Sequence, residues 1–149
     1  MKRGREAWSA PAYDSLRVKF RIHFGREARI SVTELAGIPG QCVVHASHTI
    51  APARTRIGTQ AMAWNQFRAV CLWFRRGVSQ LPPGDRLEVV IAFPAEVKNS
   101  GRQIFKGFIE FSRLAALPEH FGLEEFQKAD GYVREMRGWD IGIFSLASA

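Results

Sequence analysis

Acidic residues are missing from a long stretch of this 149-residue chain, because none occurs between Glu34 and Asp85. Residues 1–76 hold 13 Lys and Arg against four Asp and Glu, whereas residues 77–149 hold eight against ten. Metal-dependent nucleases gather carboxylates around their ions, so the first half is poorly equipped for that chemistry. Charge of one sign over half a chain instead favours a polyanionic partner.

Cysteine is scarce, and long apolar runs are absent. Two cysteines, Cys42 and Cys71, are too few for the disulfide framework of a small secreted protein. No run of 18 apolar residues occurs, so no membrane span is expected. The basic start, residues 1–5, is followed by an apolar stretch too short and broken for a signal peptide. We therefore expect an intracellular protein, cytoplasmic or associated with a nucleus or nucleoid, with both thiols reduced and buried.

Residues with catalytic or metal-binding chemistry do not form a recognisable constellation. Cys42, His45 and His48 are zinc-ligand types, but positions 45 and 48 of a strand point to opposite faces, and a fourth ligand would have to come from elsewhere. Glu124 and Glu125 are adjacent on a predicted helix and point apart, which does not suit paired acid–base work. No glycine-rich phosphate-binding motif occurs. We therefore predict no catalytic residue, no metal and no cofactor.

The clearest pattern is a strict alternation over residues 16–24. Five apolar residues alternate with three cations and a histidine, in the order Leu16, Arg17, Val18, Lys19, Phe20, Arg21, Ile22, His23, Phe24. This period is typical of a half-buried strand, whose solvent face would carry Arg17, Lys19 and Arg21 at intervals of roughly 6.6–6.8 Å. An ordinary solvated sheet face is the alternative, but such faces usually mix charges of both signs.

The remaining patterns predict an α+β fold in the order ββββα–ββ–α–β. After the strand at 16–24, the first half has strands over 28–33, 41–50 and 54–59, and a helix over 61–76 that ends before Gly77. The helix has an apolar stripe that includes Trp64, Phe67 and Phe74, so Trp64 is expected in the core. The second half has a hairpin over 87–111, a helix over 118–129 and a strand over 139–146. Residues 1–14 are expected to form a flexible basic arm and residues 15–149 a single domain; the alternative is a unit at 15–81 followed by a degenerate second unit at 82–149.

Two segments between Leu16 and Leu81 carry a resemblance to a known family. They are Ile30-Ser31-Val32-Thr33-Glu34, and Arg54-Thr55-Arg56-Ile57 followed by Trp64-Asn65-Gln66-Phe67. They resemble the ββββα unit of single-strand-binding transcription regulators, the family of the eukaryotic coactivator positive cofactor four, with Pur-alpha and Whirly proteins as architectural relatives. The chain departs from the family pattern where Gly58 follows Ile57 and where the segment 36–53 is longer.

The resemblance implies a curved antiparallel sheet, completed by pairing two units in a homodimer, with the helices behind it. Single-stranded DNA or RNA would lie across the basic sheet face. By position, the residues that would contact phosphates are Arg17, Lys19, Arg21, Arg26, Arg29, Arg54 and Arg56. Stacking on an exposed aromatic adds about 1–3 kcal/mol per base, and the candidates for stacking are Trp73, Trp8 and Tyr13.

A protein-interaction module is the alternative function. In this interpretation the chain docks on an acidic protein partner, as an inhibitor or accessory subunit would. The exposed edges of the predicted hairpin and the acidic helix near Glu119–Glu125 would serve as contact surfaces.

Overall fold

A computed structural model describes residues 2–34, 41–51, 53–77, 81, 84–92 and 103–135. Within these ranges the chain forms five strands and four helices, in the order α1 (Lys2–Phe24), β1 (Arg29–Glu34), β2 (Cys42–Thr49), α2 (Arg56–Arg76), β3 (Arg86–Ala92), β4 (Gln103–Glu110), α3 (Phe111–Leu114), α4 (Leu123–Lys128) and β5 (Tyr132–Glu135). The predicted α+β class is confirmed.

The five strands form one open sheet in the order β1-β2-β3-β4-β5. Neighbouring strands run antiparallel except β2 and β3, which are parallel and are joined by α2. A parallel pair needs such a crossover, because a tight turn can join only antiparallel neighbours. The sheet is therefore mixed, and the prediction of a purely antiparallel sheet was wrong in this respect.

The predicted first strand, residues 16–24, is the C-terminal part of helix α1. Tyr13 and Phe20 are buried, and Leu16 and Phe24 pack against the core. These positions are three or four residues apart, which is the spacing of one helix face. Helix α1 begins at Lys2 and so includes residues 2–14, which were predicted to form an arm.

Gly25 ends helix α1 and turns the chain into the sheet. Its φ of 105° lies in the left-handed region that favours glycine. The Gly25 N–H donates to the Arg21 carbonyl at 2.8 Å, and the Ala28 N–H donates to the Gly25 carbonyl at 3.1 Å. Strand β1 begins directly afterwards, so it lies against the helix that precedes it.

The predicted strand over 54–59 is also wrong, because helix α2 begins at Arg56. Thr55 is the residue that starts it: its backbone is extended, and its hydroxyl accepts a 2.9 Å hydrogen bond from the Gly58 N–H. Such an N-cap satisfies a backbone donor that the first turn leaves unpaired. The predicted body of the helix is confirmed, with Trp64, Phe67 and Phe74 buried and Gly77 at its C-terminal cap.

The second half follows its predicted pattern in part. Strands β3 and β4 pair as the predicted antiparallel hairpin. The helix predicted over 118–129 is shorter and begins at Leu123, while α3 and β5 were not predicted. The predicted strand over 139–146 lies outside the described residues.

The core lies between the helices and one face of the sheet. Phe67 of α2 packs directly over Gly107 of β4, where an added Cβ would lie 2.2 Å from its ring. Cys42 and Cys71 are both buried. In the described ranges, no helix is long and apolar enough to cross a bilayer.

Candidate functional site

Three arginines predicted as phosphate contacts meet beside strand β1. Arg17, Arg21 and Arg29 line a surface cavity of about 230 Å³ together with Ile30. Arg17 and Arg21 are one turn apart on α1, and Arg29 is the first residue of β1. The reversal at Gly25 brings the helix and the strand together. We call Arg17, Arg21 and Arg29 the arginine cluster.

Arg17 is held in place from two sides. Its Nε donates a 3.0 Å hydrogen bond to the Ile30 carbonyl, and its Nη1 lies 2.5 Å from Asp14 Oδ1. Both side chains of this ion pair are exposed, at 45% for Arg17 and 65% for Asp14, so the pair contributes little to stability. Among the described residues, Asp14 is the one carboxylate that pairs with the cluster. Arg21 and Arg29 are exposed, so the cluster offers several N–H donors to an incoming anion.

An exposed apolar pair adjoins the cluster on α1. Val18 and Ile22 are 60% and 79% exposed, and they are one helical turn apart. With Asp14, Arg17 and Arg21 they line a shallow groove of about 510 Å³. The groove therefore combines two apolar side chains with two guanidinium groups and one carboxylate.

Lys19 does not join the cluster. On a strand, Lys19 would lie on the same face as Arg17 and Arg21, but on a helix it is rotated from each by about 200°. It lines a different cavity, of about 420 Å³, with Trp73 and Arg76. The prediction that Arg17, Lys19 and Arg21 share one surface was therefore wrong.

The other predicted contacts occupy separate places. Arg26 is exposed in the turn after α1, and Arg54 is exposed just before the N-cap of α2. Arg56 is the first residue of α2. Of the predicted phosphate contacts, Arg17, Arg21 and Arg29 line one cavity.

Two of the three aromatic residues predicted to stack on bases pack in or against the core. Trp73 is partly buried and packs against Phe20 and Phe74, with ring centroids 5.2 and 5.1 Å away. Tyr13 is 1% exposed and belongs to the core, so it cannot stack on a base. Trp8 lies within α1. Tyr132 of β5 is an exposed aromatic side chain, at 60%.

The sheet face away from the helices mixes charges of both signs. The register places Arg86 and Lys106 on this face, together with Glu88 and Glu110. Lys106 Nζ lies 4.0 Å from Glu88 Oε2. The expectation of a basic sheet face was wrong, and the concentration of positive charge lies at the edge formed by α1 and β1.

The three zinc-ligand types of β2 do not converge. His48 faces the helices, where its ring lies 5.4 Å from that of Phe24, whereas His45 lies on the opposite sheet face. In the part of the chain that the structure describes, no three His, Cys, Asp or Glu side chains are grouped as metal ligands. Burial lowers the pKa of His48 below 6.5, against the opposing effect of a hydrogen bond with Gln66. Burial also raises the pKa of the Cys71 thiol well above its ordinary value, which makes it a poor nucleophile.

In comparisons with known proteins, the chain matches no protein-family model, no curated protein and no solved structure. The resemblance to the single-strand-binding regulators therefore stays a prediction, and the ββββα order that it implies for residues 16–81 is not the order observed.

Proposed function

We propose that this chain binds single-stranded nucleic acid, with the arginine cluster as its phosphate-contact site. The observation that carries the proposal is the convergence of Arg17, Arg21 and Arg29 on one surface cavity. Guanidinium groups hold phosphate oxygens through paired, directional hydrogen bonds, and the release of condensed counterions adds affinity. The net charge of +7 favours approach of a polyanion from a distance.

A single strand fits the surroundings of the cluster better than a duplex. Val18 and Ile22 form an exposed apolar surface beside the arginines. Unpaired bases present apolar faces that can cover such a surface, whereas a duplex stacks its bases and conceals those faces. The cluster contains only cations that bind phosphate, so we expect binding with little sequence preference.

The direct experiment compares two triple variants that remove the same charge. The cluster variant is Arg17→Gln/Arg21→Gln/Arg29→Gln, and the control variant is Arg86→Gln/Arg113→Gln/Lys128→Gln. Fluorescence anisotropy at low salt measures the affinity of each for a labelled single-stranded oligonucleotide of random sequence, as DNA and as RNA. We expect the cluster variant to bind at least about tenfold more weakly, equivalent to about 1.4 kcal/mol, and the control variant to bind within about threefold of wild type.

The same assay separates the proposal from binding by net charge alone. If both triple variants lose affinity equally, the cluster is not the site. A duplex of the same sequence is expected to bind more weakly than the single strand. Circular dichroism of each variant checks that the fold is retained, because Arg17 also donates to the Ile30 carbonyl.

A second candidate function is docking on an acidic protein partner. The observation that favours it is the exposure of Val18 and Ile22 between arginines, since exposed apolar side chains on a helix are common anchors of protein interfaces. Val18→Ser/Ile22→Ser removes the apolar anchors and keeps the charge. We expect it to reduce oligonucleotide affinity less than the cluster variant does. An acidic peptide of matched charge that binds more tightly than the oligonucleotide, and loses its affinity in Val18→Ser/Ile22→Ser, would favour the protein partner instead.

A further inference from the structure

A hydroxyl, an imidazole and a carboxylate are joined in line across three neighbouring strands on the open sheet face. Thr33 Oγ1 of β1 lies 2.7 Å from His45 Nε2 of β2. His45 Nδ1 lies 2.6 Å from Glu88 Oε1 of β3. His45 and Glu88 are direct partners in the parallel register, and Thr33 is two residues beyond the residue that faces His45 on β1. The sheet therefore fixes the spacing of all three.

The hydrogen-bond partners determine where the protons lie. An ionised carboxylate can only accept, so His45 Nδ1 carries the proton and donates a hydrogen bond to Glu88. In the neutral imidazole the Nε2 atom is then an acceptor, and the Thr33 hydroxyl donates to it. The proton of Thr33 thus points at a base whose tautomer is set by Glu88, an arrangement found in enzymes with an activated hydroxyl nucleophile.

Exposure in this group decreases from the hydroxyl to the carboxylate. Thr33 is exposed, the side chain of His45 is 29% exposed, and that of Glu88 is 13% exposed. A reagent can therefore reach the hydroxyl, while the acid that orients the imidazole is shielded. The second oxygen of Glu88 lies 4.0 Å from Lys106 Nζ, so both carboxylate oxygens face a partner.

We propose that Thr33 is a nucleophile that accepts acyl groups from activated carboxylic esters. The Thr33 oxygen attacks the ester carbonyl carbon while its proton passes to His45 Nε2. The bond from that carbon to the alcohol oxygen then breaks, and the leaving alcohol takes the proton from His45. The products are acyl-Thr33 and the free alcohol. Glu88 touches no reacting atom and acts as a positioning residue through His45.

Acetylation by p-nitrophenyl acetate tests this assignment on the full-length protein. Peptide mass mapping compares the initial rate at Thr33 with that at Ser31, which is exposed on the same strand and the same face. We expect Thr33 to react at least about tenfold faster than Ser31, because a positioned general base contributes about 10²–10⁴-fold. Equal rates at the two hydroxyls would overturn the proposal.

Four variants test whether His45 and Glu88 activate the Thr33 hydroxyl, or whether Thr33 reacts only because it is exposed. Thr33→Val abolishes the modification at this position, whereas Thr33→Ser retains a nucleophile. His45→Gln is expected to lower the rate at Thr33 at least about tenfold and to leave Ser31 unchanged, and an unaltered rate at Thr33 would contradict a role for the imidazole.

Glu88→Gln tests the positioning role by the shape of the pH profile. We expect Glu88→Gln to change how the acylation rate at Thr33 depends on pH, while the rate at Ser31 again stays unchanged. A denaturant titration of each variant confirms that the folded protein is the species tested. A Glu88→Gln profile that coincides with wild type would overturn the positioning role.

Discussion

The hydroxyl of Tyr13 donates a 2.8 Å hydrogen bond to Oδ2 of Asp85, across 72 positions of the sequence. Asp85 is fully buried, and its Oδ1 accepts a 3.0 Å hydrogen bond from the Cys42 N–H. Its backbone carbonyl accepts from the Phe111 N–H at 3.0 Å. This one residue thus joins α1, the start of β2 and the start of α3, which keeps α1 in the place where its arginines meet β1.

Removal of the Tyr13 hydroxyl is expected to destabilise the fold. Tyr13→Phe keeps the ring in the core but takes one donor from a buried carboxylate, so the free energy of unfolding should fall by about 1–3 kcal/mol. Urea denaturation measures the change. Tyr132→Phe is the matched control, because Tyr132 is 60% exposed and its loss of a hydroxyl should cost little. Equal stabilities of the two variants would show that the bond to Asp85 contributes nothing.

The contact between Gly107 and Phe67 predicts an overpacking effect. A Cβ at position 107 would lie 2.2 Å from Phe67 Cζ, and the ring is confined by Trp64 and Phe126. We expect Gly107→Ala to lower the free energy of unfolding by about 1–3 kcal/mol.

The control for this substitution is Gly77→Ala, because a Cβ at position 77 meets nothing within 4 Å. Phe67→Leu should partly offset Gly107→Ala in the double variant, because it makes room for the added methyl group. Strict additivity of the two changes would contradict a direct contact between them.

The burial of the His48 imidazole predicts that the folded protein loses stability in mild acid. Burial lowers its pKa in the folded chain below 6.5. Between that lowered pKa and about 6.5 the unfolded chain binds a proton that the folded chain does not. Stability that is present above about pH 6.5 is therefore lost as the pH falls towards the folded pKa.

The measurement is the free energy of unfolding against pH for wild type and His48→Gln. The slope just below pH 6.5 should be smaller in His48→Gln than in wild type. His120→Gln, which replaces an exposed histidine, is the control for the substitution itself. A His48→Gln profile parallel to wild type would assign the acid sensitivity to other groups.

Helix α2 could be predicted from the sequence because its apolar residues fit only one period. Trp64, Phe67 and Phe74 lie on a single helical stripe and do not alternate, and all three are buried. Strands β1 and β2 were predicted within a residue of their observed bounds, since Ile30 and Val32 alternate with polar residues. In these elements the local pattern and the packing agree.

Helix α1 could not be predicted from the alternation alone. Leu16, Phe20 and Phe24 fit a strand with period two, but they are also four residues apart and fit a helix. The other two alternating apolar residues, Val18 and Ile22, are exposed. At these two positions an apolar residue therefore does not indicate a buried side chain. The tertiary contacts of Tyr13 and Phe20 with distant parts of the chain decide between the two structures, and the local sequence does not contain them.

The residues of the two candidate sites could be predicted from the sequence only in part. Arg17, Arg21 and Arg29 were predicted on two strands, whereas a helix and an edge strand bring them to one cavity. The group at Thr33 had no sequence signal, because His45 and Glu88 are 43 positions apart and meet only through the parallel register of β2 and β3. No local sequence motif indicates which residues of β2 pair with which residues of β3.

The most direct test of nucleic-acid binding at the arginine cluster is the salt dependence of affinity for a single-stranded oligonucleotide. Each phosphate contact contributes about 0.7 to the slope of log affinity against log salt concentration. We expect the slope of the Arg17→Gln/Arg21→Gln/Arg29→Gln variant to be shallower than that of wild type by about 2, and Arg86→Gln/Arg113→Gln/Lys128→Gln to retain the wild-type slope. Identical slopes for all three proteins, or a wild type that does not bind at low salt, would contradict this proposal.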